Sequence, residues 1–297
     1  MRKATNRPRH ATALGVLLLG TAFVMAAGAQ TAPATDIWLA QLDLESSPPA
    51  VDGAFNATNR DGYDNQPFFE PEGGGLVYTS ERDGQTDIYR LKLDGMVITQ
   101  LTETSESEYS PTITPGGLLM SVIRVESDGT QRLWSFRRDG SSPELAASDV
   151  APVGYHAWTE DGALAMFVLG EPATLQIRRG TDDPVETAAS DIGRSLHPLP
   201  DGSGFSFLHR VDGEWRIRAL DMSSGEITEL GAPFEDSQDM AWTSDGRIIM
   251  AAGSRVAIRS IPGDWTVIGD LSADGAVELT RVAVHPDGTQ LALVAGR

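Results

Sequence analysis

Cysteine is absent from all 297 residues, and that absence removes whole classes of function. No disulfide, no thiolate metal site, no thiol nucleophile and no lipid-modified N-terminal cysteine is available. Basic residues are scarce: 23 Lys and Arg stand against 42 Asp and Glu. A surface of that balance repels nucleic acid and anionic membranes, and a partner that is neutral or basic is expected. Motifs of common chemistries are missing too. There is no Gly-x-Ser-x-Gly elbow, no phosphate-binding glycine loop, no Asp-x-Asp-x-Asp-Gly calcium loop and no recognisable pair of catalytic carboxylates. The sequence therefore predicts no cofactor, no metal and no catalytic residue.

What is present begins with a leader. Arg2, Lys3, Arg7 and Arg9 precede an apolar run from about Ala11 to Ala27, and Ala27-Gly28-Ala29 presents small residues. That order is the grammar of an export signal, with cleavage expected before Gln30. A retained anchor is the alternative, since the run approaches the ~20 residues that span a bilayer. Gly15, Gly20 and Thr21 inside the run favour cleavage. The expected organisation is a signal peptide at 1–29 and one domain at 30–297, in the periplasm or secreted. Residues 1–29 hold four of the basic residues and no acidic one. The remainder then carries 19 basic against 42 acidic residues, a formal charge of −23.

A turn recurs along that remainder. The glycines of Glu70-Pro71-Glu72-Gly73, Thr114-Pro115-Gly116-Gly117, Thr159-Glu160-Asp161-Gly162, Leu199-Pro200-Asp201-Gly202, Thr243-Ser244-Asp245-Gly246 and His285-Pro286-Asp287-Gly288 are spaced by 44, 45, 40, 44 and 42 residues. Each turn sits between short apolar runs, and such a period with several strands per repeat marks a β-propeller blade. In the first repeat, strands are expected at Gln66–Phe69, Gly75–Ser80, Thr86–Leu93 and Val97–Leu101, with Asp83-Gly84 turning the middle hairpin. The ends complete the pattern. The last repeat supplies only two strands, Arg281–Val284 and Gln290–Val294, whereas Thr35-Asp36-Ile37-Trp38 through Asp43 matches Thr86-Asp87-Ile88-Tyr89 through Asp94 position for position. The N-terminal strand is thus expected to pair with the C-terminal strands and close an all-β, six-bladed propeller.

These residues resemble the TolB-like propeller repeats, also described as WD40-like or PD40 repeats. Tyr63-Asp64-Asn65-Gln66-Pro67 through Tyr89 and Ser110-Pro111 through Trp134 carry the pattern most fully. His156 and Met240 replace its proline in blades three and five, and Pro198 takes the aromatic position in blade four. The resemblance implies a periplasmic scaffold at the cell envelope that engages a peptidoglycan-associated lipoprotein through its propeller. Only about twenty residues separate the Thr35–Asp43 strand from the first repeat, so the α/β domain that precedes the family's propeller is expected to be missing. A stand-alone relative is the expectation. The resemblance extends to prolyl-oligopeptidase-like propellers, without their hydrolase domain.

Individual residues divide into packing and recognition. Trp158 and Trp242 share their place with Phe69, Ile113 and Val284, and are expected to fill the wedge between blades. Trp38, Tyr89 and Trp134 share a third-strand position and read likewise. His156, His197, His209 and His285 sit at four different places in the repeat, which gives no metal-ligand spacing. The residues just before each inner strand instead vary in chemistry from blade to blade, as recognition positions do. From these come the predicted binding residues: Gln66, Tyr109, Ser110, Tyr155, His156, Arg194, Ser195, Asp239 and Arg281, with Tyr63, Asp64 and Asp236 on adjoining loops. Glu108 and Glu235 are placed on those loops as well. The reading is an exported, monomeric, non-catalytic scaffold that binds a peptide, protein or envelope component at a channel mouth. An envelope lipoprotein is a candidate partner, and no stable membrane insertion is expected once the signal is cleaved. The alternative is a propeller lyase or hydrolase acting on a polysaccharide.

Overall fold

The computed structural model describes residues 33–297, so the expected signal peptide lies outside the described residues. These residues form six antiparallel four-stranded sheets arranged as a ring of blades. Blade 1 comprises Asp64–Phe69, Gly75–Arg82, Gln85–Lys92 and Val97–Gln100, and blades 2 to 5 follow in chain order with the same innermost-to-outermost connection. The recurring glycine of each DG-type turn explains the regularity. All six adopt φ between +72° and +93°, a left-handed conformation in which a Cβ is strained. The middle hairpins use a second device. At Asp83-Gly84 and Asp212-Gly213 both central residues have positive φ, the two-residue type I′ turn whose twist matches paired strands. Blade 2 departs from this, since Glu126 to Thr130 spans a longer loop closed by Glu126 N–H donating to the Thr130 carbonyl at 2.9 Å.

Blade 6 is shared between the chain ends. Its order from the channel outward is Arg281–Val284, Gln290–Gly296, Thr35–Asp43 and Ala50–Asn56. The Thr35–Asp43 strand pairs in register from Thr35 opposite Gly296 to Gln41 opposite Gln290. The N-terminal segment supplies two strands, where the sequence predicted one. Ala50–Asn56 escaped notice because Gly53, at φ +62°, and a bulge opposite Leu39 to Gln41 break its alternation.

The core lies between blades. Ile37, Leu39, Ala292 and Val294 of blade 6 pack on Leu76, Tyr78 and Leu91 of blade 1, with Tyr89 beside them. Five more clusters of the same kind join the other neighbouring pairs around the ring. Trp38 and Trp134 sit in two of these, as their shared position implied. Trp158 and Trp242 pack partly and also make a polar contact: each indole N–H donates to a serine of the preceding blade, Ser121 at 3.0 Å and Ser206 at 2.9 Å.

The innermost strands are sheet edges facing the ring axis. Proline lacks the N–H that an edge would expose, which suits Pro67, Pro111 and Pro198 to those strands. Four of these strands are also bulged. In blade 4 the shift between Ile192 and Leu196 accommodates the departure from the repeat pattern.

Candidate functional site

The six inner strands enclose an axial channel of about 470 Å³. All six run in the same direction along it. Residues at their starts therefore gather at one mouth, and the DG-type turns that follow gather at the other. Gln66, Ser110, Tyr155, Arg194, Asp239 and Arg281 line the first end; Glu72, Gly116 and Glu160 line the second.

At the first mouth a polar cluster forms across four blades. Asp239, buried at the start of blade 5, accepts from Arg194 of blade 4 through Nε at 3.2 Å and Nη2 at 2.5 Å. Its other oxygen accepts from Arg281 Nη1 of blade 6 at 3.2 Å. Arg281 Nη2 donates across the channel to the Tyr155 hydroxyl at 2.9 Å, and the guanidinium lies 5.2 Å from the centre of that ring. Burial pushes the Tyr63 phenol well above its ordinary range; Arg281 and Arg194 pull it back, while the Tyr155 and Tyr109 phenols push it further up. Tyr63 and Tyr109 themselves stand outside the channel lining, and Tyr109 packs against the cluster between blades 2 and 3. Tyr109 and Tyr155 are half-buried, and the Tyr109 hydroxyl donates to Thr86 Oγ1 at 3.3 Å.

Other sequence-predicted residues are engaged in holding the ring. Gln66 adopts φ +56° at a bulge, and its Oε1 accepts from Thr79 Oγ1 at 2.7 Å and from the Ser110 N–H of the next blade at 2.9 Å. Ser195 Oγ accepts from the Met240 N–H at 3.1 Å, joining blade 4 to blade 5 in the same manner. Asp64 is buried, paired with Arg60 at 2.9 Å and accepting from Ser80 Oγ at 2.6 Å. Asp236 is exposed and stands outside the channel lining, as does Glu235, which pairs with Arg255. Ser110 is different: it is buried at the channel wall with φ +52°, and its hydroxyl has no hydrogen-bond partner.

The histidines behave as wall residues. His156 Nε2 lies 2.7 Å from Ser121 Oγ, the same oxygen that receives the Trp158 indole, and burial drives its pKa down to about 3. His197 falls to about 4 through burial, with the Asp239 carboxylate opposing the shift. Both are neutral at pH 7. His285 acts elsewhere, with its Nε2 2.9 Å from the Gly73 carbonyl of blade 1.

Two features escaped the sequence. Glu108 is a fully buried strand residue, and no loop carries it. Its carboxyl accepts from Thr104 at 2.5 Å and Thr102 at 3.2 Å and lies 3.4 Å from Arg124. Burial, together with the neighbouring Asp87 carboxyl, pushes its pKa up to about 7. Trp158, read from the sequence as a wedge residue, also lines the channel. Among the described residues, no group of three or more His, Asp or Glu converges as a metal site would require, and no helix is long and apolar enough to cross a membrane.

No family model matches the chain. A protein described as a TolB homologue from Chlorobium luteolum is 26% identical over 166 residues, which is 52% of this chain and 36% of that protein. The chain thus matches little more than a third of that relative's length. Among solved structures, a protein assigned as TolB from Agrobacterium tumefaciens superposes with a TM-score of 0.71 at 15% identity, covering 90% of this chain and 99% of that one. A gluconolactonase from Xanthomonas campestris superposes with a TM-score of 0.61 at 11% identity, covering 79% of this chain and 86% of its own. At those identities the structural likenesses establish the six-bladed fold.

Proposed function

Because this chain is a TolB-like six-bladed propeller, we propose that it is an exported scaffold that binds a peptide or protein segment at the channel mouth formed by Tyr155, Arg194, Asp239 and Arg281. The observation that carries this reading is the asymmetry of the channel. Tyr155, Arg194 and Arg281 line the same end of the channel, and tyrosine and arginine dominate interface hot spots. Packing and cross-blade hydrogen bonds fix them before any partner arrives, which lowers the ordering cost of association. A location in the periplasm or outside the cell is supported by the basic start, apolar run and small-residue site at the N-terminus. A cell-envelope protein is therefore the class of partner to seek, and a lipoprotein is one candidate.

The competing reading, a lyase or hydrolase acting on a polysaccharide, draws on the likeness to the gluconolactonase propeller. Its acid–base groups would have to come from the channel. There Asp239 is held by two arginines, Glu72 pairs with Arg138 at 3.1 Å, and His156 and His197 are held neutral by burial. The binding reading uses these residues as they stand. The test is affinity capture from a cell-envelope extract with the unaltered chain, Tyr155→Ala and Arg194→Ala, each checked for an unchanged Tm. A partner retained by the unaltered chain should be lost from both variants. Equal retention by all three, with loss on changing Glu160 at the far mouth, moves the site and ends this reading.

A further inference from the structure

We infer that the anchor of the bound segment is a carboxylate, received by Arg194 and Arg281. This inference rests on the peptide-binding reading above and adds the chemistry of recognition. Two guanidiniums at the mouth share one carboxylate, Asp239. Arg194 uses Nε and Nη2 on Asp239; Arg281 uses Nη1 on Asp239 and Nη2 on Tyr155. A guanidinium carries five N–H donors in a planar fork, so each arginine keeps donors beyond those commitments. The mouth therefore holds one positive charge in excess. The remaining acids of the channel lining, Glu72 and Glu160, belong to the far end, where Glu72 is engaged by Arg138.

This local sign is opposite to that of the whole chain, whose charge had pointed to a neutral or basic partner. A channel with low-dielectric walls focuses the field of its own lining charges, so the local balance governs what is bound inside it. An arginine fork matches a carboxylate in shape and forms charge-assisted hydrogen bonds with it.

Ser110 is a wall residue of the same channel. It is only 9% exposed, it lines the channel, and its hydroxyl has no partner. Burying a hydroxyl without a hydrogen bond is unfavourable, and here the oxygen is closed off inside the wall, so the arginines alone carry the anchor. The aromatic surface favours a peptide over an acidic sugar. The Tyr155 ring has the Arg281 guanidinium over it and Phe167 packed against it at 5.8 Å, so it is not a free platform for stacking a sugar ring.

The test pans a phage-displayed library of random heptapeptides with free C-termini against the full chain. Selected peptides are then remade with each carboxylate removed in turn, by Glu→Gln, Asp→Asn or amidation of the terminus. Removal of one carboxylate should weaken binding at least tenfold, and its identity tells a side chain from a terminus. Arg194→Met, whose side chain is the more exposed of the two, and Arg281→Met should do the same at unchanged Tm. Peptides that need Tyr155 but tolerate loss of every carboxylate overturn the anchor and leave the mouth reading standing. Peptides indifferent to Tyr155, Arg194 and Arg281 overturn both. Failure to enrich any peptide over the Arg194→Met chain, or arginine-dependent binding of oligogalacturonate in its place, overturns the peptide carboxylate.

Discussion

Glu108 and Asp87 face each other across a blade junction, where Thr102 Oγ1 lies within hydrogen-bond reach of both carboxyls and Thr104 and Arg124 flank Glu108. The folded Glu108 holds its proton to about pH 7, against an ordinary value of 4.5. Its stabilising contribution is therefore complete below about pH 4.5 and is lost as pH rises through about 7. Allowing for solvent screening, the loss is about 1–2 kcal/mol. Glu108→Gln should flatten this dependence: Tm of the unaltered chain should fall further between pH 5 and pH 8 than Tm of the variant. Identical slopes would mean the pair is ionised throughout. At the mouth, Tyr155→Ala should cost a bound partner about 2 kcal/mol or more, as truncation of a central aromatic anchor does; titration calorimetry with the recovered partner measures it. Little of this chemistry could be read from sequence. Glu108 looked like a loop acid because nothing in its neighbourhood along the chain announces Arg124, which faces it across the first hairpin of blade 2, or Asp87, which meets it only when blades 1 and 2 pack.

Among elements, the Thr35–Asp43 strand has the most to test. Ile37 is fully buried and Leu39 and Leu42 nearly so, between the C-terminal strand and Ala50–Asn56. Asp36 at its start accepts from Arg297 Nε at 2.5 Å and Asn56 Nδ2 at 2.8 Å, fastening the last residue of the chain to the first blade strand. Ile37→Ala should destabilise by ~2–5 kcal/mol through lost burial and the cavity left behind, read as a lower midpoint in urea unfolding. Deleting Thr35–Asp43 should do more, opening the ring and leaving a sheet edge prone to aggregation. A full-height, unshifted melt of the deletion would contradict the blade assignment. This element was legible because its match to Thr86–Asp94 repeats a period-two pattern and an Asp-Ile-aromatic core. Its neighbour Ala50–Asn56 was not, because an outer strand is half exposed and Gly53 interrupts its alternation.

On the scale of the whole molecule, ring and channel follow from a forty-odd-residue period, since left-handed glycines are a local requirement that recurs with each blade and proline blunts the inner strands of three of them. What sits at the mouth does not follow from the period. Tyr155, Arg194, Asp239 and Arg281 come from four different blades, and their convergence is a product of closure. Net charge misleads for the same reason: a chain of formal charge −19 carries two arginines against one aspartate at the mouth. The central claim is that this mouth, and no other surface, receives the partner. Site-specific photo-crosslinking tests it most directly, with p-benzoylphenylalanine replacing Tyr109 beside the tyrosine–arginine mouth or Glu160 at the far mouth, in cells that make the chain. The account predicts a discrete crosslinked product from position 109 that disappears when Arg194→Met is added, and none from position 160. A product from 160 alone, or one from 109 that survives Arg194→Met undiminished, would contradict it.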